Sequence, residues 1–179
     1  MTVEKTFIND CLIIKPTVFE DARGFFMESF NSLTFQQKTE IETTFVQDNQ
    51  SYSSYGVIRG LHAQCGDHAQ AKLVSVLEGK VLDVVVDARK GSATYGQKLE
   101  IVLSSENKLQ LFVPKGCLHG FAVLSEKAKF FYKCDQYYNK ASEVGVKYDD
   151  AALNIDWQIP EEKRIISAKD MELPLFSSL

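Results

Sequence analysis

Two of the three histidines in this chain of 179 residues stand in segments that otherwise read as apolar strand. His62 closes the motif Arg59-Gly60-Leu61-His62, and His119 follows Pro114-Lys115-Gly116-Cys117-Leu118. Lys72 opens a run of β-branched residues between the two motifs. Because burial of an unpaired charge costs on the order of several kcal/mol, these side chains are expected to be paired or to face a polar pocket. A pocket that collects imidazole, ammonium and guanidinium groups suits an anionic substrate and proton transfer.

The composition argues against several classes of protein. A net charge of −4 gives no support for a nucleic-acid partner, since nucleic-acid-binding domains usually carry a basic excess. No apolar run is longer than four residues, so the sequence predicts neither a transmembrane helix nor the apolar core of a signal peptide. The four cysteines show no Cys-x-x-Cys spacing, which indicates a reduced setting. We therefore expect a cytoplasmic protein without nucleic-acid or membrane partners.

Short strand signals separated by polar turns fill the middle of the chain. Glu78-Gly79-Lys80 joins two β-branched runs and predicts a hairpin. The predicted strands are Lys72 to Leu77, Val81 to Asp87, Gln97 to Leu103, Leu109 to Val113, His119 to Leu124 and Lys129 to Gln136. Strands at this spacing are typical of a sandwich or a jelly-roll barrel.

Helical signals are few. Asn31 to Lys38 predicts a short helix, and Asp149 to Leu153 a single turn. Ser167-Ala168-Lys169-Asp170 resembles a capping box at the start of a C-terminal helical turn. Since no linker, low-complexity tract or repeat interrupts the chain, we expect one all-β domain over residues 1–179 with a few short helices.

A series of motifs runs through nearly the whole chain in a fixed order. They are Asp21-x-Arg23-Gly24-x-Phe26-x-Glu28, Phe45-Val46-Gln47-Asp48-Asn49, Arg59-Gly60-Leu61-His62-x-Gln64, Gln70-Ala71-Lys72-Leu73, Asp83-Val84-x-Val86-Asp87-x-Arg89, Pro114-x-Gly116-x-x-His119-Gly120-Phe121, Tyr132-Lys133 and Tyr137-Tyr138. The ordered set resembles the dTDP-4-dehydrorhamnose 3,5-epimerase family, a branch of the cupin jelly rolls. The resemblance implies a cupin-type jelly-roll barrel and a homodimer with strand exchange.

The reaction that the resemblance implies is epimerisation next to a ketone. The substrate would be dTDP-4-dehydro-6-deoxy-D-glucose, and the product dTDP-4-dehydro-β-L-rhamnose. The protons at C3 and C5 of this sugar are acidified, because removing either gives an enolate delocalised into the C4 carbonyl. Such a reaction needs a base, an acid on the opposite face and a cation near the enolate oxygen. It requires no cofactor and no metal.

The resemblance also implies the catalytic residues. His62 would be the base, Asp170 its carboxylate partner, Tyr132 the acid and Lys72 the cation near the ketone oxygen. For three of them the residues alone leave an ordinary structural role open. Asp170 could serve only the helix N-terminus. Tyr132 belongs to an aromatic run of the kind usually found in a core, and Lys72 could be a surface lysine on an edge strand.

A wider set of residues matches the substrate-binding positions of the family. It comprises Arg23, Phe26, Glu28, Gln47, Asn49, Arg59, Lys72, His119, Tyr138, Glu143 and Lys169. Tyr138 would stack on the thymine, and Phe26 and Glu28 would be supplied by the neighbouring subunit. Guanidinium groups and aromatic faces are suited to a nucleoside diphosphate.

The spacing of Arg59 and His62 makes a geometric prediction. Residues three apart on a regular strand point to opposite faces of the sheet. Both can line one pocket only if the strand bulges or ends near Gly60.

His119 has the spacing by which many cupins supply a metal ligand. A metal site needs companions, and the earlier segment reads His62-Ala63-Gln64, with glutamine where a second histidine would stand. We therefore predict no metal, and the family resemblance assigns His119 to substrate binding. His68 is interpreted as a solvated loop residue. Asp83, Asp87 and Arg89, on one strand face, are interpreted as a structural charge cluster.

Two departures from the family pattern bear on the choice of reaction. Ala63 replaces an aromatic residue, and Cys117-Leu118 replaces Phe-Ala before His119. Both are expected to touch the lining of the site, which leaves room for an epimerase that acts at C3 or C5 only, or for one that uses a related nucleotide 4-keto-6-deoxyhexose. Three further functions compete with epimerisation: those of a cupin sugar ketoisomerase, a metal-dependent cupin oxygenase and a cupin that only binds a sugar nucleotide.

Overall fold

Two antiparallel sheets face each other in the computed structural model, which describes residues 1–179. The strands are β1 (Thr2–Lys5), β2 (Leu12–Lys15), β3 (Val18–Asp21), β4 (Gly24–Met27), β5 (Gln47–Ser54), β6 (Ile58–Gln64), β7 (Lys72–Glu78), β8 (Lys80–Asp87), β9 (Lys98–Ser104), β10 (Gln110–Val113), β11 (Cys117–Val123), β12 (Lys127–Cys134) and β13 (Glu143–Gly145). The first sheet has the order β1-β2-β10-β7-β12-β5, and the second β13-β6-β11-β8-β9. Strands β3 and β4 form a separate hairpin. The predicted all-β jelly roll is confirmed.

All six predicted strands are present within a few residues of their predicted bounds. The structure adds seven strands, of which β5 has the least apolar sequence, QDNQSYSS. Strand β5 is an edge strand of the first sheet. Its alternate residues are half-buried or buried and the residues between them are exposed, so the face that it turns inward is polar. A strand of this kind carries little hydrophobic signal in the sequence.

The core lies on both faces of the second sheet. Val81 and Val85 point between the two sheets, whereas Leu82, Val84 and Val86 point to the outer face. The segment after β13 covers that outer face with Trp157 and other apolar residues. Strand β8 is therefore apolar at successive positions because both of its faces are covered.

Two short helices complete the chain. Helix α1 (Ser32–Thr39) begins at Asn31, whose side chain accepts a hydrogen bond from the Thr34 N–H. Helix α2 (Ala168–Met171) begins at Ser167, as predicted. The predicted turn at Asp149 to Leu153 is present as hydrogen-bonded turns. No helix of the chain is long and apolar enough to cross a membrane.

Asp87 anchors the connection between β8 and β9. Its carboxylate accepts hydrogen bonds from the Arg89 guanidinium and from the hydroxyls of Ser92 and Thr94. Burial alone would raise the pKa of Asp87, but these donors hold it well below its ordinary value. The predicted structural cluster is confirmed for Asp87 and Arg89, whereas Asp83 has a different partner.

We expect Asp87→Asn to lower the free energy of unfolding at pH 7 by about 2 kcal/mol, since the loop loses charge-assisted hydrogen bonds. A carboxylate with a depressed pKa contributes its stability above its unfolded pKa of about 3.9 and loses it as the pH falls further. The difference from the unaltered protein should therefore shrink below about pH 4. Urea denaturation at pH 7 and pH 3.5 measures it, with the exposed Asp149→Asn as control. An equal loss at both values would contradict the prediction.

Candidate active site

A cavity of about 520 Å³ opens between the two sheets. Strands β5, β7 and β12 of the first sheet, β6 and β11 of the second, and the segment around α2 supply its walls. Seven of the predicted site residues line it: Arg59, His62, Lys72, His119, Tyr132, Lys169 and Asp170. Residues of these motifs thus line the same cavity, although they lie up to about a hundred residues apart in the chain.

The predicted bulge near Gly60 is confirmed. His62 lies opposite His119 and Arg59 opposite Phe121, so β6 uses one more residue than β11 over the same stretch. Gly60 has a φ of +108°, and a Cβ there would lie 2.6 Å from the carbonyl oxygen of His119. Only glycine fits this close approach of two backbones. The bulge brings Arg59 and His62 to the same cavity.

His62 and Asp170 form a hydrogen-bonded pair. The distance from His62 Nε2 to Asp170 Oδ1 is 2.7 Å, and the Asp170 side chain is buried. In α2 it is Ser167 that caps the helix, by accepting the Asp170 N–H, so the Asp170 carboxylate remains available to the imidazole. With the proton of the neutral imidazole on Nε2 facing the carboxylate, Nδ1 has a free lone pair that can accept a proton.

Tyr132 projects from β12 into the cavity rather than into the closed core. Its ring packs beside Phe130, whereas its hydroxyl has no hydrogen-bond partner within the protein. Burial raises the pKa of Tyr132. The phenol therefore keeps its proton at neutral pH and can donate it.

Lys72 lines the cavity from the start of β7, so it is not a surface lysine. Its ammonium lies 5.8 Å from the centre of the Tyr132 ring and forms neither an ion pair nor a hydrogen bond with the protein. Burial lowers the pKa of Lys72. A half-buried cation without a protein anion is suited to stabilising negative charge on a bound molecule.

His119 forms a second imidazole–carboxylate pair, and its partner Asp83 was missed as a site residue in the sequence. His119 Nε2 lies 2.9 and 3.0 Å from the two carboxylate oxygens of Asp83, and both side chains are almost fully buried. The assignment of Asp83 to the charge cluster of Asp87 is therefore wrong. A signal was present, because a carboxylate inside the valine run of β8 needs a polar partner.

Three residues form a hydrogen-bonded cluster at the rim. The Tyr138 hydroxyl donates to Glu143 Oε2 at 2.7 Å, and the Lys169 ammonium forms an ion pair with the other oxygen. Burial alone would raise the pKa of Glu143, but these two donors hold it below its ordinary value. Tyr138 itself is about half exposed and leaves an aromatic face open to a ligand.

Gln47 and Asn49 form a polar layer on the inner face of β5 rather than lining the cavity. The Gln47 side chain donates to Asn49 Oδ1 and accepts the Tyr138 N–H at 3.0 Å. Asn49 donates to the sulfur of Cys134 at 3.6 Å. This layer fixes the backbone of Tyr138 from the side of the first sheet.

The structure does not bring Arg23, Phe26 or Glu28 to the cavity of their own chain. Arg23 is exposed at the tip of the β3–β4 hairpin and pairs with Asp21 at 2.6 Å. Phe26 is 70% exposed, and with Glu28 it lines a different depression near helix α1.

Two expectations about the lining are wrong. Ala63 packs against the apolar cluster under Trp157, and Cys117 and Leu118 are buried in the core, so none of them lines the cavity. The reason is the alternation of β6 and the burial of β11 on both faces.

The interpretation of His68 as a solvated loop residue is also wrong, because His68 is half-buried and contacts Asn139. His, Cys, Asp and Glu side chains form no group of three or more that could hold a metal ion.

Comparisons with known proteins agree with this geometry. The family model described as dTDP-4-dehydrorhamnose 3,5-epimerase matches residues 5–178. The chain belongs to this family. An epimerase of that name from Salmonella typhimurium is 50% identical over 98% of this chain and 95% of its own. The family is one of isomerases, and its fold is the predicted cupin-type jelly roll.

Two solved structures are closely similar. The dTDP-4-dehydrorhamnose 3,5-epimerase of Elizabethkingia anophelis is 57% identical, with a TM-score of 0.95 over 99% of this chain and 97% of its own. A dTDP-6-deoxy-D-glucose-3,5-epimerase of Legionella pneumophila, in complex with dTDP-4-keto-L-rhamnose, is 46% identical, with a TM-score of 0.94 over 98% and 93%.

We expect Lys72→Met to stabilise the protein without ligand by about 1 kcal/mol, because it replaces an unpaired, half-buried cation by an apolar group of similar length. Since the pKa of Lys72 is lowered in the folded state, the cost of its charge is present at neutral pH. That cost fades as the pH rises towards 10, so the advantage of methionine should shrink. Urea denaturation at pH 7 and 9.5 tests this, with exposed Lys80→Met as control. A destabilised Lys72→Met at pH 7 would contradict it.

Proposed function

We propose that residues 1–179 work as one epimerase domain that inverts C3 and C5 of dTDP-4-dehydro-6-deoxy-D-glucose and yields dTDP-4-dehydro-β-L-rhamnose. The observation that carries the proposal is the gathering of the His62–Asp170 pair, Tyr132 and Lys72 on one cavity in a member of this family. Together these side chains offer a base, an acid and a cation. No step of the proposed reaction needs a metal or a cofactor.

The first step removes a proton beside the ketone. Nδ1 of His62 accepts the proton from the sugar carbon, and the electron pair of the C–H bond moves into an enolate whose charge rests on the C4 oxygen. Asp170 stabilises the imidazolium that results, in the manner of a catalytic carboxylate behind a histidine. The Lys72 ammonium stabilises the enolate oxygen.

The second step returns a proton to the opposite face of the same carbon. The phenol of Tyr132 supplies it, which restores the ketone with inverted configuration. Proton exchange with solvent then returns His62 to the neutral imidazole and Tyr132 to the phenol before the second carbon reacts. Tyr132 lies on β12 of the first sheet and His62 on β6 of the second, so acid and base reach the substrate from opposite walls. His119, oriented by Asp83, contributes a binding contact to the sugar.

The nucleotide lies towards the rim in this proposal. Tyr138 stacks on the base, and Arg59 and Lys169 meet the diphosphate as cations from two sides of the opening. Glu143 holds both Tyr138 and Lys169 in place. Gln47 and Asn49 act from behind Tyr138 through the contacts that they make with its backbone and with Cys134.

A second copy of the chain completes the site. The β3–β4 hairpin exposes three phenylalanines, Phe19, Phe25 and Phe26, at 63%, 57% and 70%. Beside it runs a largely apolar groove of about 330 Å³ over the outer face of the first sheet. Exposed apolar surface of this kind is typical of a contact with another chain. We propose a homodimer in which the hairpin of one subunit supplies Arg23, Phe26 and Glu28 to the site of the other.

Proton exchange with solvent tests the reaction. When the substrate is incubated with the protein in D₂O, NMR should show deuterium at both C3 and C5. Asp170→Asn should lower kcat by about 10²-fold or more, because the imidazolium loses its counter-charge, and His62→Ala should abolish exchange. Label at one carbon would indicate a single-position epimerase, for which Ala63 and Cys117 give no reason since they lie outside the cavity. Binding without exchange would indicate a sugar-nucleotide-binding protein.

Mixing two inactive variants tests the shared site. His62→Ala and Arg23→Ala should each have little activity alone. In a heterodimer one site keeps His62 from one subunit and Arg23 from the other, so random mixing should restore about a quarter of the normal activity. Steady-state rates after joint unfolding and refolding measure this. If the mixture is no more active than its components, Arg23 does not act across the dimer.

A further inference from the structure

His68 contacts the segment that carries Tyr138 from outside the cavity. It stands in the short 3₁₀ turn Gly66–His68 between β6 and β7 and is half-buried. Its Nε2 lies 3.2 Å from Nδ2 of Asn139, the residue that follows Tyr138. The proposed reaction and nucleotide contacts make no use of this hydrogen bond.

The partners of Asn139 fix the direction of the hydrogen bond. Oδ1 of Asn139 accepts the N–H of Ala141 at 2.9 Å, so the side-chain amide group of Asn139 faces His68 as a donor. His68 Nε2 is therefore the acceptor, and the proton of the neutral imidazole is on Nδ1. Reversing the amide would place a donor against the N–H of Ala141.

The same geometry limits what His68 contributes to stability. Its Nδ1 is buried and has no hydrogen-bond partner in the protein. A buried donor without an acceptor offsets the gain from the one bond that Nε2 accepts. Replacement of His68 should consequently leave the fold intact.

Tyr138 is exposed, so its position depends on its neighbours in the chain. Gln47 accepts its N–H, Glu143 accepts its hydroxyl, and Gln64 accepts the N–H of Asn139. The His68 bond is the contact made by the Asn139 side chain with the loop after β6. An aromatic ring that is held before a ligand arrives loses less freedom when the ligand binds.

We propose that His68 is a positioning residue for nucleotide binding, which acts through Asn139 to hold Tyr138 in place. This inference rests on the proposed function, because it assigns Tyr138 to the nucleotide base. It predicts an effect on affinity and KM, with kcat unchanged, since His68 does not line the cavity where protons move.

Two substitutions at the same position separate the acceptor from the rest of the side chain. His68→Gln keeps an acceptor for Asn139, whereas His68→Ala removes it. The hydrogen bond acts on the equilibrium between the held and the displaced position of the Tyr138 segment. Loss of one neutral hydrogen bond changes the constant of such an equilibrium by about fivefold. We expect His68→Ala to bind dTDP-glucose about fivefold more weakly and to raise KM by a similar factor. His68→Gln should restore most of both, with the melting temperature of each variant unchanged.

A double-mutant cycle shows whether the effect passes through Tyr138. In a Tyr138→Ala background, His68→Ala should have no further effect on the Kd for dTDP-glucose measured by calorimetry. Equal affinities of His68→Ala and the unaltered protein, or a loss that adds in full to that of Tyr138→Ala, would overturn the inference. If the unaltered protein fails to bind dTDP-glucose, the nucleotide assignment itself falls, and the inference with it.

Discussion

The need to pair charges inside an apolar barrel governs the arrangement of this protein. Two imidazoles face each other across the β6–β11 ladder, and each has its own carboxylate. Asp83 comes from the neighbouring strand β8, whereas Asp170 comes from the segment beyond the barrel. Lys72 and Arg59 carry charge to the cavity without a protein anion. The two unpaired cations are the groups that the proposed function uses to meet negative charge on the substrate.

The bulge in β6 is the backbone counterpart of this arrangement. A regular strand would send Arg59 and His62 to opposite faces, and one of them would be buried in the apolar cluster under Trp157. The extra residue at Gly60 turns both side chains to the cavity. The strands β6 and β11 remain paired on both sides of the bulge. Glycine is required there because the two backbones touch. A local departure from ideal pairing therefore determines which groups line the cavity.

Much of this could be predicted from the sequence, and the failures have physical reasons. The strongly apolar strands and the Ser167 cap were predictable because their signals are local. Strand β5 was not, since its inner face is polar. Asp83 was misassigned because spacing along β8 groups it with Asp87, whereas its partner lies on β11. The hairpin residues Arg23 to Glu28 are absent from the cavity of their own chain, and it was the family resemblance, not a local pattern, that set Phe26 and Glu28 apart from that cavity.

The route of the chain has a consequence for the order in which the site is assembled during synthesis. Every strand of both sheets precedes α2 in the chain, so Asp170 is synthesised after all the strands that line the cavity. Until the segment that carries α2 is in place, His62 lacks its Asp170 partner. Docking of that segment is fixed by hydrogen bonds from the Ile58 N–H to the Ile165 carbonyl and from the Phe176 N–H to the Asp150 carboxylate. The same segment completes the apolar cluster on the outer face of the second sheet, so closure of the core and delivery of Asp170 to His62 are one event. A chain whose C-terminal segment has not docked would therefore hold His62 without the carboxylate that orients it.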